Sequence, residues 1–395
     1  MKIRPAYLAG LAAFVVTAIV AHGRSTPYNN FVLLAQAFLQ GHAWIDWPGA
    51  YIDALAFAGK HYVIEAPMPA VLLLPFVVIW HAAVNQTTLA IVLAAVAVGA
   101  GWELCERYGV PSIVTAWLCA FLLVGTDLLW CAMLGDVWFI AHVSAVCFTL
   151  LALVELAGKR RGWLVGLWAA CAIESRFSLL LALPVYKNLL LNDWERPNKF
   201  FALDKHWLPR WLGFAGVLLG LALVWVWYNE VRWGTWYDIG YTAWYHQDQA
   251  GSPTGSPFQL QYFMYQLQSF FVQLPTFTGS YPWIQPEVVG VALTWTSPAL
   301  LLAFLSLLPG NRPREVGALW VAVILTAAPN FIYYVNGFAQ FGMRHALDFE
   351  PFLFALMAIG VRRKMPVWGY VLIAYSVIVG FWGCWYWNAF VRTNN

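Results

Sequence analysis

Apolar residues run along this chain in stretches close to the length of about 20 residues that crosses a bilayer, separated by short polar turns, and that pattern predicts a bundle of membrane helices. The first stretch, PAYLAGLAAFVVTAIVAH, follows Met1-Lys2-Ile3-Arg4 and runs into His22-Gly23-Arg24 without a small-residue cleavage site, so it reads as an uncleaved first helix. Basic residues fall in clusters beside the apolar runs: Lys159-Arg160-Arg161, the stretch Lys187 to Arg210, Arg312 with Arg314, and Arg362-Arg363-Lys364. If these are cytoplasmic together with the N-terminus, the passes alternate without conflict from residue 158 onward. Between residues 68 and 136 three apolar segments give the wrong parity, and one of them must be a hairpin or an incomplete crossing. The expectation is an all-α polytopic membrane protein with about 11 transmembrane helices, 13 being the alternative count, forming one integral domain over residues 1–395.

The opposite, non-cytoplasmic face then receives residues 23–67, the stretch GTDLLWCAMLGDVW, a break at Glu174-Ser175-Arg176-Phe177, the long segment 229–287, and YYVNGFAQFGMRHALD. In the first loop, FVLLAQAFLQG has helical apolar spacing with two glutamines, which suits a short helix lying at the interface. YIDALAF and HYVIEA, joined by Ala58-Gly59-Lys60, read as a small hairpin. Segment 229–287 is rich in Trp, Tyr, Gln, Gly and Pro and predicts interfacial helices and loops.

Composition agrees with this class. The chain is 61% hydrophobic and 10% charged, with mean hydropathy +0.64. Its net charge of +3 comes from the topology-setting clusters, and no basic face interleaved with aromatics suggests nucleic acid. The six cysteines show no CxxC or metal-ligand spacing and read as small buried hydrophobes. No Gly-rich phosphate loop accompanies a Rossmann-like segment, which argues against nucleotide-sugar chemistry.

Ionisable groups at the edges of membrane helices are costly to keep there, and they gather on the non-cytoplasmic face in three groups. Asp46, Asp53, Lys60 and Glu65 lie in the first loop. A carboxylate there can act as a general base or help hold a divalent cation, Mg or Mn, while Asp53 with Lys60 as a hairpin ion pair is the alternative. The second group is Asp136, Trp138, His142, Glu174 and Arg176. Arg176 either faces a lipid phosphate or neutralises Glu174, and His142 is either a substrate contact or a helix-packing hydrogen bond. The third joins YNEVRWGTWYDIGY, with Tyr228, Asn229, Asp238 and Tyr241, to QFGMRHALDFEPF, with Arg344, His345, Asp348 and Glu350. Arg344 suits bidentate contact with phosphate oxygens, and a buried Arg344–Asp348 pair is the competing structural reading. The aromatic residues suit either sugar stacking or an interfacial belt.

The segments YIDALAFAGKHYVIEAPMPAVLLLP, AIESRFSLLLALP, YNEVRWGTWYDIGY and QFGMRHALDFEPF, in this order, resemble the GT-C superfamily of membrane glycosyltransferases, in particular bacterial relatives of the dolichyl-phosphate-mannose protein mannosyltransferases. The resemblance covers most of the chain. It implies transfer of a sugar from a polyprenyl-phosphate donor to a glycan, lipid or protein acceptor on the periplasmic side of a bacterial inner membrane. It further implies an acidic base or metal partner in the first outer loop, for which Asp53 and then Asp46 are the candidates, and basic residues for the lipid phosphate, Arg344 with Lys60 or Arg176. Glu65, His142, Tyr228, Asn229, Asp238, Tyr241, His345 and Asp348 are the expected substrate contacts. Tyr28-Asn29-Asn30 departs from the pattern, since relatives carry an acidic residue directly after the first helix. A transporter or flippase of a polyprenyl-linked substrate, or an inactive assembly subunit, is the alternative.

Overall fold

The structure, a computed structural model, describes residues 4–192, 205–310 and 313–392. Part of the basic stretch Lys187 to Arg210, Arg312 and the last three residues lie outside them. Helix α1 (Pro5–Ala21) leads into a first loop that holds α2 (Asn30–Leu39) and an antiparallel hairpin of β1 (Leu55–Phe57) and β2 (Lys60–Tyr62). Gly59, at φ +74°, closes the turn. Helix α3 (Met68–Trp80) follows, and then α4 (Gln86–Tyr108), α5 (Ser112–Ala120) and α6 (Leu128–Leu134). Among these described residues α4 packs against α1 by a close approach of backbones, because a Cβ on Gly10 would meet the Ala95 carbonyl at 3.0 Å and one on Gly99 the Ala6 carbonyl at 3.1 Å.

The second half of the bundle comprises α7 (Val137–Leu156), α8 (Gly162–Ile173), α9 (Leu183–Leu191) and α10 (Trp207–Trp233). Helix α10 therefore runs into the start of the segment read as a loop. Two interfacial helices, α11 (Gly240–Gln247) and α12 (Phe263–Phe271), lie over the bundle end, and α13 (Leu293–Thr296), α14 (Pro313–Phe331), α15 (Glu350–Val361) and α16 (Val367–Tyr386) complete it. Several passes contain irregular turns: 3₁₀ geometry over Phe177–Ala182, Pro298–Leu307 and Arg344–Asp348, and π geometry over Phe121–Gly125 and Trp387–Val391.

Contacts sort the helix ends into two sets. At one end Arg161 holds Glu155 at 2.8 Å, Arg160 donates to the Asn192 carbonyl at 3.0 Å, Arg362 donates to the Gly310 carbonyl at 2.9 Å, and Tyr108 donates to Glu315 at 3.0 Å. Arg107 ties α4 to the Val154 carbonyl of α7. The described basic clusters thus share one end. The first loop, the Glu174–Arg176 break, residues 234–292 and residues 332–348 share the other.

Helix α3 bears on the parity problem in a physical way. Its first residue donates from Met68 N to the Glu174 carbonyl at 2.8 Å, and the segment that follows it returns to the same end, where the Gln86 side chain accepts from Phe31 N at 3.1 Å and donates to the Gly135 carbonyl at 2.7 Å. Both ends of the 13-residue α3 therefore lie at the loop-bearing end of the bundle, an arrangement that fits a hairpin or incomplete crossing. By length and composition, four helices among the described residues suffice to span a bilayer: α4, α7, α10 and Val367–Val391. The count becomes five if Ser112–Gly125 and Leu128–Leu134, bent by 50°, form one span.

An impermeant thiol reagent should accordingly modify cysteines introduced at Ala50 and Ala83 from the same side, and one introduced at Lys159 only from the opposite side. Labelling of the position 83 and 159 variants from one common side would show that α3 traverses the membrane.

Candidate active site

The loop-bearing end encloses a cavity of about 1850 Å³. Its walls come from the first loop, the turn before α7, the Arg176–Leu181 stretch, α11 and the residues after it, residues 328–345, and the segment 387–392. The turn at Gly135 is set by close contact. A Cβ there would lie 2.6 Å from Thr87 Cα, the backbone sits at φ +68°, and Thr87 donates to the Leu134 carbonyl at 2.8 Å. This turn delivers Asp136 and Trp138 to the cavity wall, where Asp136 accepts from Thr26.

Asp53 lies on the same wall. Tyr51 donates to its Oδ1 at 2.9 Å and Trp138 Nε1 donates to its Oδ2 at 3.0 Å. Its main-chain carbonyl accepts from Asn30 Nδ2 at 2.6 Å. Asn30, fully buried, therefore fixes the backbone of Asp53. Burial, followed by the adjacent Asp53 carboxylate, pushes the Tyr51 hydroxyl up to about 12, so it remains a donor at neutral pH.

Arg176, Arg344 and His345 also line the cavity. Arg344 donates from Nη1 to Gln340 Oε1 at 2.8 Å and lies 5.1 Å from the Phe139 ring centroid, while its buried Nε has no partner among the described residues. Beneath this wall sits Asp348, with 0% exposure. Its Oδ1 accepts from His142 Nδ1 at 2.9 Å and Arg176 Nε at 3.2 Å, and its Oδ2 accepts from Arg176 Nη2 at 3.1 Å, Ser178 at 2.7 Å and Asn330 at 3.2 Å.

Several expectations change here. The competing Arg344–Asp348 pair does not form, because Arg176 occupies the Asp348 carboxylate and Arg344 turns to Gln340. For the same reason Arg176 does not neutralise Glu174. Asp348, saturated by donors, has no acceptor capacity left for substrate, and His142 serves this packing network. Asp46 is exposed and outside the cavity. Lys60 is exposed on the hairpin with its ammonium 3.2 Å from the centroid of the Trp44 ring, a cation–π contact that leaves it neither paired with Asp53 nor turned to the cavity.

The YNEVRWGTWYDIGY residues divide. Asp238 and Tyr241 line the cavity. Tyr228 and Asn229 are buried outside it around Arg232, whose Nη2 donates to Asn229 Oδ1 at 3.0 Å and whose guanidinium carbon lies 4.1 Å from the Tyr228 ring centroid. Glu65 is likewise buried outside the cavity wall, 1% exposed, and neither carboxylate oxygen has a side-chain partner among the described residues. Among the described residues no three His, Cys, Asp or Glu side chains converge as metal ligands. Residues missed in the sequence include Tyr51 and Gln340, uncharged side chains whose only available signal was their position inside the quoted outer segments, and Asn330, which lies in the last turns of α14 outside those segments.

No protein-family model matches the chain, and no curated protein does. Among solved structures it is similar to the crystal structure of ArnT from Cupriavidus metallidurans bound to undecaprenyl phosphate, with a TM-score of 0.56 and 13% identity over 94% of this chain and 62% of that one. The chain has the GT-C fold. That fold is the one expected from the resemblance of its outer segments, and the long apolar helices α4, α7, α10 and Val367–Val391 fit an integral membrane protein. The chain spans about 62% of the length of ArnT.

Glu65 provides a test of the electrostatics. Burial pushes its carboxyl up to about 8. The unfolded chain ionises Glu65 near the ordinary value of about 4.3. Between that pH and about 8 the folded state therefore holds the extra proton, and stability should fall as pH rises, by at most about 1.4 kcal/mol per pH unit, and level off above it. Glu65→Gln should raise the melting temperature of the detergent-solubilised protein at pH 8 and leave it nearly unchanged at pH 4. An equal change at both would refute an unpaired, neutral Glu65.

Proposed function

We propose that the chain is a glycosyltransferase that moves a sugar from a polyprenyl-phosphate donor to an acceptor hydroxyl. The observation that carries this reading is a single cavity with a carboxylate, Asp53, held by two side-chain donors on one wall and a partly unsatisfied guanidinium, Arg344, among its other lining residues. Apolar residues Phe177, Leu180 and Leu181 line the same cavity and are themselves partly open to the surroundings, which suits an isoprenoid chain. The bound undecaprenyl phosphate of ArnT, which shares the fold, supports the donor class.

In the mechanism we infer, Asp53 takes the proton of the acceptor hydroxyl as its oxygen attacks the anomeric carbon. The carbon–oxygen bond to phosphate breaks on the opposite face, and polyprenyl phosphate departs with the electron pair. The configuration inverts. Arg344 stabilises the negative charge that grows on the leaving phosphate, a contribution that is commonly the largest in such reactions. Asn30 supports Asp53 through its backbone, so the amide next to the first helix is compatible with activity when the carboxylate is supplied further along the loop.

We further read eleven passes of the bundle, with α3 excluded, a cytoplasmic basic end and a periplasmic cavity in a bacterial inner membrane. A transporter would need charged residues along a path to both ends. The lining residues instead belong to one end, which favours the enzyme. Sugar identity and acceptor class, whether glycan, lipid or protein, are left to the assay.

With a radiolabelled polyprenyl-phosphate sugar and membrane extract, Asp53→Asn should lower transfer by about 10²- to 10⁴-fold with little change in donor binding. Arg344→Gln should weaken binding and turnover together. Asp46→Asn and Lys60→Gln should transfer at the wild-type rate. Wild-type transfer by Asp53→Asn protein that purifies at normal yield would remove the assignment, and transfer from the matching nucleotide sugar would remove the donor class.

A further inference from the structure

The two histidines beside Asp348 are locked in opposite tautomers. His142 Nδ1 lies 2.9 Å from a carboxylate oxygen, which only accepts, so His142 carries its proton on Nδ1. His345 Nδ1 lies 3.2 Å from Arg176 Nη2, which only donates, so His345 must accept at Nδ1 and carry its proton on Nε2. The rings meet edge to face with centroids 5.2 Å apart. His345 is 7% exposed, lines the cavity, and its Nε2 has no partner among the described residues. A buried N–H without an acceptor is costly, so this group calls for a ligand oxygen.

The surroundings of His345 keep it uncharged. Arg344 and Arg176 are the nearby cations, His142 and the Tyr333 ring pack against it, and Asp348 is occupied by its own donors. Burial, then the charges of Arg344 and Arg176, hold the imidazole well below its ordinary range.

We propose that His345 is a direct ligand of the donor substrate: as a neutral Nε2–H donor it hydrogen-bonds an oxygen of the glycosyl phosphate, with Asp348 and Arg176 as the positioning residues that fix its tautomer. The inference rests on the polyprenyl-phosphate reading and deepens it. It separates the two cavity arginines by task. Arg344 supplies charge to the phosphate, whereas Arg176 spends its Nε and Nη2 hydrogens on Asp348 and His345. The contacted oxygen belongs either to the phosphate or to the sugar, since both accept from a neutral N–H.

The test uses ¹⁵N-histidine-labelled full-length protein in nanodiscs, with the His345 signals assigned by their loss in His345→Gln. Without ligand, His345 should show protonated Nε2 and bare Nδ1 from about pH 5.5 to about 8, a window in which a free imidazole titrates. Adding undecaprenyl phosphate should shift the Nε2–H signal if the partner is a phosphate oxygen. A shift only with the sugar-linked lipid assigns the partner to the sugar. His345→Phe should weaken binding of the responding lipid about tenfold, and His345→Gln, which keeps an N–H donor, should restore most of it. Arg176→Lys, which keeps the charge but loses the fork, should release the tautomer lock and mix the two His345 forms. A protein that binds lipid while the His345 signal stays unmoved overturns this inference alone, as does an Nδ1-protonated His345. A wild type that binds neither lipid overturns it together with the donor assignment.

Discussion

The Asp348 carboxylate is the constraint around which the cavity end is organised. A buried anion is tolerable only when its lone pairs are filled, and here the donors come from α7 through His142, from the α8–α9 connection through Arg176 and Ser178, and from α14 through Asn330. Three segments distant in sequence are thus brought to one point at the start of the pass that continues as α15. Loss of one donor would leave charge uncompensated in a dry setting, a kind of change that typically costs about 3 to 5 kcal/mol when a buried pair is broken. The cavity wall inherits its rigidity from this node, because Arg176, His345 and Arg344 project from residues immediately beside it.

A second consequence concerns the opposite wall. Asp53 is held weakly by comparison, through two side-chain donors at the cavity edge and one backbone contact from Asn30. The difference suits their tasks. A carboxylate saturated by an arginine fork and three further side chains cannot accept a proton from substrate, whereas one that retains lone pairs and water access can. On the mechanism we propose, the site thus separates a structural carboxylate from a chemical one by hydrogen-bond occupancy, and the two could not exchange roles without a change in their neighbours.

Much of this was legible in the sequence, and the limit has a physical form. Hydropathy located the apolar passes, Gly59 and the alternating residues around it marked the hairpin, and charged residues beside apolar runs identified Asp53, Arg176 and Arg344 as belonging to one cavity end. Pairing was not legible. Arg344 and Asp348 are one helical turn apart and invite an ion pair, yet Arg176, 172 positions away, takes the carboxylate. Asp46 and Lys60 share a loop with Asp53 and differ from it only in the direction the folded loop gives them. Which of the three apolar segments between residues 68 and 136 breaks the alternation was not legible for a related reason. The 13 residues of α3 are apolar enough for a membrane, but what decides a crossing is where the ends are anchored, and those anchors are the Glu174 carbonyl and the Gln86 side chain.

The Phe177–Ala182 turn explains how one short segment serves both a charged node and an apolar wall. In 3₁₀ geometry side chains three apart share a row. Leu179 and Ala182 form the row that is buried in the bundle, at 1% and 0% exposure, and Phe177 with Leu180 forms the open row, at 45% and 37%. Ser178 leads the third row and reaches Asp348, while Leu181 behind it stays partly open. An α-helix would rotate these residues by 100° per step and smear the three rows. The tighter turn keeps them in register, and Arg176, directly before it, is left free of helical geometry to fork onto Asp348. Irregular backbone is tolerated where it faces protein or a cavity, and here that tolerance lets a charged node and an apolar cavity wall meet within six residues.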